Sequence, residues 1–123
     1  MAKKYDRPID VGLAALVGKD EAAVIAFWKK RLELVAAIPS DIARVGALTP
    51  QLRELSRVEP AERRRLTKAR IVAFGQLAPD VQQRISAART AAFAVDRPVL
   101  EGDEQIVQQV RSEVPGTAYP SDR

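Results

Sequence analysis

The sequence predicts an all-α protein, a compact bundle of five to seven helices, and three observations lead to this fold class. Aromatic residues make up only 5% of the chain, whereas alanine, leucine, valine and isoleucine are abundant. This mixture packs helices closely and suits a β-sandwich poorly. Eight prolines divide the chain into segments whose apolar residues recur at helical spacing. Nowhere do β-branched residues alternate over a stretch long enough for a strand.

The first two predicted helices lie before Pro39. Ile9–Val17 has apolar residues at helical spacing, and Gly18 ends it. Asp20 can then cap a longer helix, because its carboxylate can accept hydrogen bonds from N–H groups of the first turn. This second helix should run to about Ile38, since the residue before a proline disfavours the helical conformation.

The next two predicted helices are short. Ser40 can cap a helix over Asp41–Leu48. Thr49 followed by Pro50 has the pattern of a cap and a first helical residue, which predicts a further helix reaching about Arg57.

A tandem repeat with a 19-residue period follows, with copies Val58–Gln76 and Leu77–Val95. A proline opens one helix in each copy, and these helices are expected at 60–77 and 79–95. Because only a short turn joins them, they should pack antiparallel as an αα-hairpin, with small residues allowing close approach and both phenylalanines buried. Six positions are identical in the two copies: Pro60/Pro79, Arg65/Arg84, Ala69/Ala88, Arg70/Arg89, Ala73/Ala92 and Phe74/Phe93.

The last predicted helix is Gly102–Glu113, with Ile106, Val107 and Val110 on one side. Residues 1–114 are therefore expected to form a single helical domain that contains the repeat. The tail, residues 115–123, has no apolar periodicity and carries two prolines. It is predicted to be extended or disordered unless a partner holds it.

The composition excludes several functional classes. The chain has no cysteine and no histidine, which removes disulfides, thiolate chemistry, the commonest general base and the commonest transition-metal ligand. The glycines form no phosphate-binding loop. We therefore expect no cofactor, no metal and no enzymatic activity. No apolar run approaches the roughly 20 residues of a membrane span, and the N-terminus lacks the pattern of a secretory signal, so a cytoplasmic location is expected.

Three arginines, Arg31, Arg70 and Arg89, fall inside apolar helix stripes. A guanidinium there must extend to solvent, pair with a carboxylate or face a partner. We expect Arg89 to pair internally with Asp96 and Arg70 to lie at an interface. The carboxylates considered as internal partners are Glu21, Glu62, Asp80 and Asp96, whereas Asp103 and Glu104 are read as complementing the dipole at a helix start.

The favoured function is a non-catalytic protein–protein interaction module, or a small structural or accessory subunit of a larger assembly. Its partner would be another protein or a second copy of the chain. Apolar residues on more than one helix face, together with the stripe arginines and the basic run, supply the interaction candidates: Arg31, Arg63, Arg64, Lys68, Arg70, Ile71, Val72 and Arg89.

The alternative function is nucleic-acid binding through the basic segment 49–70, in a chain of net charge +4. Asp41-Ile42-Ala43-Arg44, the turn glycine Gly46 and Thr49-Pro50 together resemble the helix-turn-helix of bacterial repressors, over residues 41–57. The glycine stands three residues after the alanine, where that motif has it four residues after. The resemblance implies a recognition helix that presents Gln51, Arg53 and Arg57 to a DNA groove.

Overall fold

Five α-helices account for most of the protein. The computed structural model describes Leu13, Leu16, residues 18–117, Tyr119 and Pro120, and these residues form a compact all-α bundle without a β-strand. The predicted helix Ile9–Val17 lies largely outside the described residues. The helices are α1 (Glu21–Ala36), α2 (Asp41–Leu55), α3 (Pro60–Gly75), α4 (Pro79–Val95) and α5 (Arg97–Arg111).

The helix starts follow the capping residues of the sequence. The carboxylate of Asp20 accepts a hydrogen bond from the Ala23 N–H at 2.8 Å, and Ser40 caps α2 in the same way. Pro60 and Pro79 occupy the first turns of α3 and α4, where the N–H that proline lacks would have no helical partner. These predicted starts are confirmed.

Two predicted boundaries are wrong. α2 runs unbroken through Pro50, so the two short helices expected between residues 41 and 57 are one. Proline at this position removes only the backbone bond to the Gly46 carbonyl, while one face of the whole helix is buried. α5 begins at Arg97, with Pro98 in its first turn, and not at Gly102.

The helices pack mainly against the next but one along the chain. α3 packs on α1, α4 packs on α2, and α5 contacts α2, α3 and α4. The predicted hairpin between α3 and α4 is therefore wrong, because these two helices make few contacts with each other. The small residues of α3 face Trp28 of α1, and those of α4 face α2. Phe74 and Phe93 are buried, as predicted.

The C-terminal tail is irregular but packs on the bundle as far as it is described. Tyr119 is buried, and its ring lies edge-on to Phe74 with the centroids 5.2 Å apart. Arg111 of α5 donates a hydrogen bond to the Tyr119 carbonyl, and the Tyr119 N–H donates to Thr117. The periodicity of the sequence does not predict that Tyr119 is buried.

Candidate functional site

Four charged side chains meet inside the bundle. Arg70 comes from α3, Arg89 from α4, and Asp103 and Glu104 from adjacent positions of α5. None of the four is more than 8% exposed. We call this group the ion cluster. Because α3 and α4 contact each other little, the cluster connects two helices mainly through the third.

Asp103 is the centre of the ion cluster. Nη2 of Arg70 lies 2.8 Å from both Asp103 carboxylate oxygens, and Nη1 of Arg89 lies 2.7 Å from one of them. The other terminal nitrogen of Arg89 donates to Glu104 at 2.8 Å, and the Gln108 amide donates to the remaining Glu104 oxygen at 2.7 Å. Two cations thus balance two anions, and both carboxylates are hydrogen-bonded on both oxygens.

Aromatic rings surround the guanidinium groups. The Arg70 and Arg89 guanidinium carbons both lie 5.5 Å from the centroid of the Tyr119 ring. Trp28 approaches Arg70 at 5.6 Å, and Phe93 approaches Arg89 at 5.7 Å. Nε and Nη1 of Arg70 are buried without a hydrogen-bond partner among the described residues. Cation–π attraction to these rings offsets part of that cost.

The cluster holds its groups in the ionised form. Burial alone would lower the pKa of Arg70 and Arg89, because a low-dielectric interior disfavours charge. The neighbouring Asp103 and Tyr119 outweigh burial, and the pKa of each arginine lies above its ordinary value. Burial would likewise raise the pKa of Asp103, but the two guanidinium groups hold it below its usual range.

Both stripe arginines of the repeat are therefore paired internally, as predicted for Arg89, but with partners the sequence analysis did not assign. Asp96, the expected partner of Arg89, instead accepts a hydrogen bond from Arg53. Arg70, expected at an interface, is buried against Asp103. Asp103 and Glu104 do not lie at a helix start, because α5 begins five residues earlier than Gly102, at Arg97.

The buried arginines share one register in their helices. Arg31, Arg70 and Arg89 each lie eleven residues after the N-cap of their helix, and Gln51 occupies the same position in α2. All four side chains are buried. Arg31 stacks on Phe27 with its guanidinium carbon 4.4 Å from the ring centroid. In α1 to α4, a polar residue at this position therefore lies on the inward face, whereas the corresponding residue of α5 is Val107.

The basic run of α3 is largely occupied within the protein. Arg63 donates to the Ser56 carbonyl at 3.3 Å, and Lys68 lies 3.2 Å from the Glu113 carboxylate. Arg64 is exposed and has no partner among the described residues. Two apolar interaction candidates follow: Ile71 is fully buried in the core, which corrects its assignment to a surface, and Val72 is half-buried.

The residues proposed to read DNA do not form a recognition surface. Gln51 is buried, Arg53 pairs with Asp96, and Arg57 is exposed just beyond the end of α2. Gly46 lies in the middle of α2, so residues 41–57 form no helix-turn-helix. The resemblance failed because Thr49-Pro50 is not a helix start in this protein.

The ion cluster borders an open groove between α4 and α5. Glu104 lines this groove together with Phe93, Arg97 and Gln105. Since Arg89 and Gln108 already bind both Glu104 oxygens, the groove gains little charge from the cluster. Both carboxylates of the ion cluster therefore already have hydrogen-bond partners within the bundle.

The described part of the chain contains no group of acidic residues that could hold a metal ion, and none of its helices is long and apolar enough to cross a membrane. Fold and cluster together define a small helical bundle with a charged core. Comparison with protein-family models, curated proteins and solved structures finds no match for this chain. Its function must therefore be inferred from its own residues.

Proposed function

We propose that the chain is a non-catalytic protein–protein interaction module, or a small accessory subunit of a larger assembly, that binds its partner through the outer face of α1. The observation that carries this proposal is an apolar surface on a helix whose other side is already buried. We define the α1 face as Ala23, Ala26, Phe27, Lys30 and Leu34, which line one shallow groove together with Arg31.

The residues of the α1 face are spaced three or four positions apart, as residues on one side of a helix are. Leu34 is 42% exposed and Phe27 is partly exposed, with the small side chains of Ala23 and Ala26 beside them. An isolated exposed leucine needs no explanation, but a contiguous apolar groove is typical of interaction surfaces. Ile42, at the start of α2, is a further exposed apolar residue, at 86%.

The chemistry of the α1 face favours an acidic amphipathic helix as its occupant. Lys30 is exposed in the middle of the apolar groove, and Lys29 is its half-buried neighbour. A helix that lays leucine-like side chains into the groove would bring acidic residues at its margin close to Lys30. The ion cluster supports the non-catalytic part of the proposal, because its carboxylates are already bonded to arginines.

Affinity capture from the source cells with three forms of the protein tests this surface. Leu34→Glu places a charge in the groove, and Gln83→Glu places the same charge on an exposed position of α4. Proteins retained by the wild type and by Gln83→Glu should fall at least about tenfold with Leu34→Glu. Lys30→Glu should also reduce their retention if the partner is acidic. Equal capture by Leu34→Glu would refute the proposed surface, and sedimentation of the purified protein detects a second copy as the occupant.

The alternative, nucleic-acid binding, has weaker support. Five basic residues of the segment 49–70 make ion pairs or hydrogen bonds within the protein: Arg53, Arg63, Arg65, Lys68 and Arg70. Arg57 and Arg64 remain exposed. These two positive charges are few for a surface that binds phosphates. A gel-shift assay over a range of salt concentrations separates the two functions, because phosphate binding weakens steeply with salt. A cytoplasmic location is part of the same proposal and is tested by cell fractionation.

A further inference from the structure

A small cavity lies where the C-terminal end of α2, the first half of α3 and the first half of α5 meet. Its volume is about 200 Å³. Its walls are mostly aliphatic, and two charged residues, Arg63 and Asp103, reach it. The aliphatic wall consists of Leu52, Leu55, Val99 and Ile106.

The charge that this cavity offers to a ligand is positive. Asp103 is already bound by Arg70 and Arg89, which do not line the cavity, so its negative charge is neutralised within the ion cluster. Arg63 uses Nη1 in a hydrogen bond to the Ser56 carbonyl, whereas its Nε is buried and has no partner among the described residues. A neutral bond to a carbonyl leaves the guanidinium charge uncompensated.

The first turn of α5 adds to this positive character. Val99 of that turn lines the cavity, and the turn has no side-chain cap on its N–H groups. The N-cap residue, Asp96, directs its carboxylate to Arg53 instead. The positive end of the α5 dipole and the Arg63 guanidinium therefore act on the same small apolar space.

We propose that this cavity is a binding site for a small aliphatic carboxylate, whose hydrocarbon part packs against the leucine, valine and isoleucine walls and whose carboxylate pairs with Arg63. A cavity of about 150 Å³ in a protein core holds a benzene molecule, so the present one accommodates roughly six to nine non-hydrogen atoms. A branched short-chain acid has this size and the required chemistry. The site is separate from the α1 face, and its occupancy is independent of the proposed partner.

Titration of the full-length, ¹⁵N-labelled protein with 3-methylbutanoate tests the site. The matched probe is 3-methylbutanamide, which has the same number of non-hydrogen atoms and no charge. The acid should bind with a dissociation constant of the order of 1 mM. Amide signals of Leu55, Ser56 and Val99 should shift most. The neutral amide should bind at least about tenfold more weakly, because it loses the charged hydrogen bond.

Three variants sharpen the test. Arg63→Gln should remove the preference for the acid over the amide, whereas Arg63→Lys should retain part of it. Arg64→Gln, on the exposed neighbour, should leave both affinities unchanged. Gly102 also lines the cavity, and a Cβ atom added there meets no atom within 4 Å, so Gly102→Leu should weaken both probes by placing its side chain at the cavity wall. The proposal is overturned by equal affinity for acid and amide, by shifts confined to other helices, or by an acid preference that survives in Arg63→Gln.

Discussion

Replacing Asp103 by asparagine is the most informative perturbation of the ion cluster. The change keeps the shape of the side chain but leaves the two guanidinium groups of Arg70 and Arg89 with one carboxylate, that of Glu104. One positive charge is then uncompensated in a site that is almost completely buried. Removing one partner of a buried ion pair typically costs about 3–5 kcal/mol, and we expect Asp103→Asn to reduce the free energy of unfolding by that amount.

Urea unfolding, followed by circular dichroism and by the fluorescence of the single tryptophan, Trp28, measures this loss. The control is Glu101→Gln on the same helix. Its partner Arg97 lies 3.4 Å away with both side chains more than half exposed, so this change should cost less than about 1 kcal/mol. If Asp103→Asn cost no more than Glu101→Gln, the ion cluster would not be the buried, charged structure described above.

The loss of stability in Asp103→Asn should also depend on pH. Because the pKa of Asp103 is lowered in the folded protein, its ionised form stabilises the fold above its unfolded-state pKa near 4. That contribution declines below about pH 5 and is lost as the pH falls through the folded-state pKa. The wild type should therefore be more stable than Asp103→Asn at neutral pH, and the difference should shrink in acid. The arginines, whose pKa values are raised, stay charged throughout this range.

Three further predictions concern the fold. Gly46→Ala should stabilise the protein by about 0.5–1 kcal/mol in thermal or urea unfolding, because the added methyl group meets no atom in mid-α2; a destabilised variant would indicate a turn there. Phe93→Ala should cost about 3–5 kcal/mol in the same assay, and a loss below about 1 kcal/mol would place that ring on the surface. Tyr119→Ala should cost about 3 kcal/mol, and NMR should show protected, dispersed signals for Thr117 and Tyr119; random-coil signals there would contradict the packed tail.

Helix starts were the part of the fold that the sequence predicted best. A capping side chain or a proline in the first turn acts locally, so Asp20, Ser40, Pro60 and Pro79 could be recognised without knowing the fold. Pro50 carries the same local pattern, but burial of one continuous face of α2 outweighs the hydrogen bond that it removes. Tertiary packing keeps α2 helical through Pro50, and no local sequence pattern predicts this continuity.

The ion cluster could be predicted only in part. Arginines inside apolar stripes indicate that a compensating group is near, and this inference held for Arg70 and Arg89. The identity of the partner depends on where α5 begins and which helices it crosses, and Asp103 is 33 residues from Arg70 in sequence. The burial of Tyr119 could not be predicted either, because a single aromatic residue in a tail without periodicity forms no sequence pattern.

The ion cluster also has a consequence for how the bundle opens. Separating α5 from the bundle would remove both carboxylate partners of Arg70 and Arg89 at once, so partial detachment of this helix should cost nearly as much as complete unfolding. α3, α4 and α5 should then behave as one cooperative unit, although α3 and α4 touch little. In native-state hydrogen exchange, the slowest amides of these three helices should share a single opening free energy.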